Sequence, residues 1–147
     1  MIMRIAVGVY CVIGALIMYG GFGYLTTSEF MPYHAQAIQA DWSSLSSEQQ
    51  GLILGLMKGR GAGALAIGGA IVLLAVTGLL RRTRFVIWLI PLLALVYLGL
   101  ATYSTYFMHA HTHGGPPLLL GPILGALTIV GAMLSYVGRR SSNQSRD

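Results

Sequence analysis

Charge is scarce in this sequence, and negative charge scarcest of all. Charged residues make up 9% of the 147 residues, against about 25% in soluble domains, so the chain cannot clothe a water-facing surface. Only four residues are Asp or Glu, and none lies inside a long apolar run. That excludes the buried carboxylate expected of a proton-coupled four-helix antiporter. The one cysteine, Cys11, can form neither an internal disulfide nor a CxxC redox pair, which argues against a thiol oxidase. It reads as a small buried apolar side chain. There is no Walker loop, HExxH helix, serine triad or paired carboxylate.

What is present is apolar length. Residues 5–25, 61–80, 85–108 and 118–138 form four runs free of Lys, Arg, Asp, Glu and His. Each has about the ~20 residues that a helix needs to cross a ~30 Å hydrocarbon core. The expected fold is an all-α membrane protein, a bundle of four transmembrane helices forming a single domain over 1–147. The first run is longer than the ~7–15-residue core of a signal peptide, and no small-x-small cleavage site follows. It is read as a retained span.

The arginines sort the ends. Arg4, Arg81, Arg82, Arg84, Arg139, Arg140 and Arg146 all fall on one side of a four-span topology. By the positive-inside rule that side is cytoplasmic, and both termini lie there. The net charge of +5 therefore points to lipid headgroups, not nucleic acid. The opposite side holds Glu29, Asp41 and Glu48. It also holds Lys58 and Arg60, which run against the rule and are expected to pair with those acids or touch headgroups.

The loop at 26–60 is too long for a simple turn. Pro32 fits the first turn of a short helix through Ala40. Ser46-x-x-Gln49 resembles a capping box, and from Ser47 the pattern runs without a proline into the second span. A partly helical periplasmic cap is expected. Trp42 and Tyr33 suit an interfacial belt. The polar tail at 141–147 lacks apolar surface and is expected to be disordered.

Three patterns are candidates for function. Gly51, Gly55, Gly59 and Gly63 recur every four residues, and Gly121 and Gly125 repeat the spacing in the last span. Such small-xxx-small spacing lets helices approach closely, either within the bundle or between chains in a homo-oligomer or larger membrane complex. Second, His109, His111 and His113 alternate beyond the third span, and topology puts His34 on the same side. An extended segment would place the three on one face. Neutral imidazoles ligate transition metals, with Glu29 or Asp41 as an added oxygen ligand. A b-type haem is not expected, because it needs histidines facing each other from inside two spans. Third, aromatic residues gather at this end, Tyr97 among them. Of these, Tyr24, Tyr33, Tyr103 and Tyr106 either form an interfacial belt or bind the polar head of a lipid, quinone or other hydrophobic ligand. Pro91 and Pro122 are candidate kinks that open such a pocket.

Two stretches carry a resemblance. Glu29-Phe-Met-Pro-Tyr-His34 with Trp42 and the glycine-rich helix start, and Gly114-Gly-Pro-Pro117 leading to Gly131-Ala-Met-Leu-Ser135, resemble a group of small uncharacterised four-span bacterial membrane proteins. The resemblance implies a four-helix fold in a bacterial inner membrane and brings no activity with it. The leading functional expectation is a non-enzymatic packing or accessory protein that holds a lipid. A metal or redox protein using the histidines comes second, and an enzyme acting on a lipid-soluble substrate third. The arginine asymmetry gives a direct test: a reporter fused after Asp147 should behave as cytoplasmic and one inserted at Ser44 as periplasmic, and both on one side would refute the four-span count.

Overall fold

A computed structural model describes residues 1–81 and 83–144, with the backbone alone for 141–144. Helix α1 spans Ile2–Thr26, α2 Pro32–Ile38, α3 Ser47–Leu74, α4 Arg84–His111 and α5 Leu120–Gln144. A 3-10 turn, Trp42–Ser44, precedes α3, and a π-helical turn, Ala75–Leu79, extends it. No strand is present among the described residues. Four of the helices are long and apolar enough to cross a membrane: α1, α3 with its extension, α4 and α5. The backbone of α5 continues through Gln144, so the first four residues of the expected tail are helical. Residues 145–147 lie outside the described residues.

Local chemistry explains the helix ends. The capping box forms as expected: Gln49 N–H donates to Ser46 Oγ at 3.3 Å, and Ser46 N–H donates to Gln49 Oε1 at 2.9 Å. These bonds start α3 well before its apolar run. At 1.5 Å per residue, α3 and its extension are roughly 50 Å long, so the helix projects beyond a ~30 Å core. Pro32 opens α2 at a position where its missing N–H costs nothing. Pro122 falls in the first turn of α5 for the same reason and is not a kink.

The bundle divides into two pairs, α1 with α3 and α4 with α5, joined through α5, which packs on α1 as extensively as on α4. Helix α1 packs most extensively on α3, and glycine sets their separation. A Cβ on Gly14 would lie 2.7 Å from the Gly68 carbonyl oxygen, and one on Gly68 would lie 2.6 Å from that of Gly14. One turn pair further on, a Cβ on Gly21 would meet the Gly61 carbonyl at 2.8 Å, and one on Gly61 that of Gly21 at 2.6 Å. The antiparallel helices thus touch backbone to backbone at glycines seven residues apart on each. Helix α4 pairs with α5 along its length, from Thr102 against Gly121 to Trp88 beside Tyr136, whose rings lie 6.3 Å apart.

The two pairs converge at the arginine-rich end. A Cβ on Gly131 would lie 2.9 Å from the Tyr10 ring, and one on Gly138 would lie 3.1 Å from the Met3 backbone nitrogen. Gly78 likewise abuts Val86. Tyr10, Ile13, Ile71, Leu79, Ile90 and Ala94 are fully buried here. The buried hydroxyls of Thr128 and Ser135 donate to carbonyls one turn back, Leu124 and Gly131, each at 2.8 Å. The α1–α5 register that joins Met3 to Gly138 and Tyr10 to Gly131 continues to Ile17 and Leu124, both buried. Beyond that layer the glycines show no close approach of α1 to α5: Gly20 has nothing within 4 Å, and Gly121 faces Thr102 of α4. The pairs diverge towards the end that carries the 26–46 loop.

The close approaches therefore fall on glycines other than the expected stripe. At Gly51, Gly55, Gly59, Gly63 and Gly125 a Cβ would meet nothing within 4 Å, so within the chain these positions hold no helix together. Gly121 does pack closely. The distinction is testable. Gly68→Ala forces a Cβ onto the Gly14 carbonyl and should lower the melting temperature, with an overpacking cost of about 1–3 kcal/mol. Gly59→Ala should hold or raise it, since alanine improves helix stability by up to about 1 kcal/mol. Equal effects in a thermal melt in detergent would refute the assignment.

Candidate functional site: a cleft between the helix pairs

The divergence leaves a cleft of about 930 Å³, at the upper end of the ~300–1,000 Å³ typical of small-molecule sites. Its floor is the last layer where the pairs still meet, Ile17, Ala64, Leu98 and Leu124, all buried. Its walls come from the loop-side halves of α1, α3 and α4 and the start of α5. The mouth is polar, with Tyr24, Tyr33, His34, Arg60, Ser104 and Thr105 along it.

Helix α2 spans this mouth. The Tyr33 hydroxyl hydrogen-bonds the Tyr24 hydroxyl of α1. On the other side, the Gly115 N–H donates to Gln36 Oε1 at 3.3 Å. A Cβ on Gly114 would lie 2.7 Å from the Tyr33 carbonyl oxygen, so glycine is what lets the 112–117 loop lie against α2. The buried Phe30 packs edge-on to Trp42 with ring centroids 5.0 Å apart, fixing the chain on either side of α2.

Arg60, read from the sequence only as an exception to the positive-inside rule, is the one cation lining the cleft among the described residues. It follows Gly59 and precedes Gly61, which packs on Gly21 of α1, so it stands about one turn inside the end of α1. Its Nη1 donates to Ser104 Oγ of α4 at 3.4 Å, and its guanidinium sits 5.6 Å from the centre of the Tyr24 ring. Of the two expectations for Arg60, headgroup contact or pairing with Glu29, Asp41 or Glu48, the pairing is not seen among the described residues. Among the described residues no Asp or Glu lines the cleft. Lys58 turns elsewhere: its Nζ donates to the Leu25 carbonyl at 2.9 Å, capping the end of α1. The signal in the sequence was a positive charge on the wrong side of the topology, carried by a helix already under way.

The remaining expected residues scatter. Tyr24 and Tyr33 line the cleft, as does Tyr97, whereas Tyr103 and Tyr106 are 67% and 64% exposed and do not. The histidine run is not extended. Helix α4 continues through His111, and two residues on a helix turn through about 200°, which sends His109 and His111 to different faces. His109 Nδ1 lies 3.4 Å from the Gly114 carbonyl oxygen, and His111 stacks on Phe107 at 4.2 Å. Only His34 of the four reaches the cleft. Among the described residues no group of three or more His, Cys, Asp or Glu side chains is placed to hold a metal ion.

His34 Nδ1 is buried with no hydrogen-bond partner among the described residues. Burial pushes the imidazole pKa below its ordinary value near 6.5, and the positive charge of Arg60 pushes it further down. Burial also pushes the Tyr33 hydroxyl up, helped by the bond to Tyr24. His34 is therefore neutral at neutral pH, and Arg60 supplies the positive charge of the mouth. Compared with known proteins, the chain matches no family model, no curated protein and no solved structure.

These electrostatics predict that His34, followed by NMR of labelled histidine, titrates below 6.5. Arg60→Gln should raise its pKa only part of the way back, because burial is the larger cause. Titration at or above the ordinary value in the native chain would contradict the placement of His34.

Proposed function

We propose that this chain is a multi-pass membrane protein that holds one hydrophobic or amphiphilic molecule in the cleft, as a binding component and not a catalyst. The observation that carries the reading is the shape of the cleft. It combines an apolar floor of Ile17, Ala64, Leu98 and Leu124 with polar side chains, Tyr24, Tyr33, His34, Arg60 and Ser104 among them, towards the loop end, which in this reading lies at headgroup depth. Such sites bury most of a ligand in apolar walls and fix one end with a few polar groups. The walls include Leu16, Leu56 and Leu120, which suits an acyl or isoprenoid tail. With the arginine-rich ends on the cytoplasmic side of a bacterial inner membrane, the mouth opens to the periplasmic leaflet, and a lipid-soluble ligand enters from the bilayer between the diverging helices. The open glycine positions on α3 leave room for lipid or for a second chain without being needed for this role.

The test is direct. Protein purified in mild detergent should carry a co-purifying amphiphile in organic extracts read by mass spectrometry. Ala101 lines the cleft, and Ala101→Phe should fill part of it and lower the bound amount several-fold while the fold survives by circular dichroism. Extracts with no amphiphile above detergent background, together with no ligand-induced rise in melting temperature, would overturn the proposal.

A further inference from the structure

Resting on that reading, we infer that the cleft selects an amphiphile with an anionic head, a carboxylate or a phosphate, seated at Arg60 with its tail on the apolar floor. The charge balance of the lining is one-sided. Arg60 is in it, and among the described residues no Asp or Glu is. A guanidinium carries five N–H donors in a planar fork that matches the two oxygens of a carboxylate or phosphate. Here the contacts of that fork are the 3.4 Å bond to Ser104 Oγ and the face of the Tyr24 ring, which leaves donors for an oxyanion.

The hydroxyls around it point to the same chemistry. Ser104 accepts from Arg60, so its own proton is available to a ligand. Tyr24 and Tyr33 share one hydrogen bond, and a pair of hydroxyls has two protons, so one remains to be donated. Thr105 is already committed, donating to the Ala101 carbonyl at 2.8 Å. The mouth thus offers a cation and uncommitted O–H donors, the complement of an acceptor-only head. His34 Nδ1, buried and unpartnered among the described residues, stands at the same mouth. A cationic head would be repelled, and a neutral one would leave the guanidinium unmatched.

The experiment compares heads on one chain length. The full protein is placed in nanodiscs of neutral phosphatidylcholine, and binding of oleate, oleoyl lysophosphatidate, oleyl alcohol and oleoyl lysophosphatidylcholine is measured by equilibrium titration. A charge-assisted hydrogen bond should favour at least one anionic ligand over the alcohol by about ten-fold or more. Tighter oleate identifies a carboxylate head, and tighter lysophosphatidate a phosphate head. Arg60→Gln should erase the advantage of the anionic heads over oleyl alcohol, while Arg60→Lys should keep part of it. If Arg60→Gln does not fold, the comparison of heads on the native chain decides alone. Oleyl alcohol binding as tightly as both anions would overturn the inference and leave the cleft as a neutral-ligand site. Binding of none of the four, with Ala101→Phe also without effect, would instead remove the cleft reading on which the inference rests.

Discussion

The backbone contact between α1 and α3 is the constraint from which the rest of the structure follows. At Gly14 with Gly68, and Gly21 with Gly61, carbonyl oxygens occupy the space a Cβ would take. In a bilayer, helices gain little from hydrophobic burial against one another, and close van der Waals approach has to supply the association. The seven-residue spacing suits this, because facing positions drift only ~20° per heptad on an α-helix. The contact fixes α1 and α3 as one rigid unit right up to the loop end. That unit then holds Tyr24, Arg60 and the cleft wall at set heights relative to each other.

The second pair, α4 and α5, meets the first most closely at the arginine-rich end. Packing of Tyr10 into the gap left by Gly131 and of the α1 backbone against Gly138 closes the arginine-rich half. Nothing equivalent closes the other half, where Gly121 faces Thr102 of its own pair. The large space between the pairs is bridged at its mouth by α2 and by the hydrogen bond from Arg60 to Ser104. Stability and the candidate site are thus segregated along the bundle axis. The packed half carries the buried core, and the open half carries the polar side chains.

Much of the architecture was legible because a bilayer leaves the backbone few choices. Four apolar runs of spanning length become four helices, and the Ser46 and Pro32 signals act through local backbone chemistry that needs no tertiary context. The site was less legible. Gly51 to Gly63 in steps of four look like a face, but each step drifts about 40° around a 3.6-residue helix, so the set winds away from any one neighbour. Gly61 and Gly68 hold a straighter line and were hidden among other glycines. The histidine run misled because an alternating pattern aligns side chains only on an extended chain, and α4 stays helical through His111. Arg60 was read as an exception to the orientation rule. Its meaning depends on the gap between the helix pairs, a long-range property that no local pattern encodes.

The central claim is that the helix pairs meet at the arginine-rich end and part at the other, and paired cysteines can read that geometry. In a Cys11→Ala background, Met3→Cys with Gly138→Cys should form a disulfide on oxidation, since a Cβ at 138 would lie 3.1 Å from the Met3 nitrogen and a disulfide needs Cα atoms within about 7 Å. Tyr24→Cys with Pro117→Cys, the corresponding positions at the mouth, both line the cleft. That pair should stay reduced under the same oxidation and yield only to a long bifunctional reagent. Equal and rapid disulfide formation by both pairs in membranes would mean that α1 also meets the segment leading into α5 at the mouth, and the cleft would not exist.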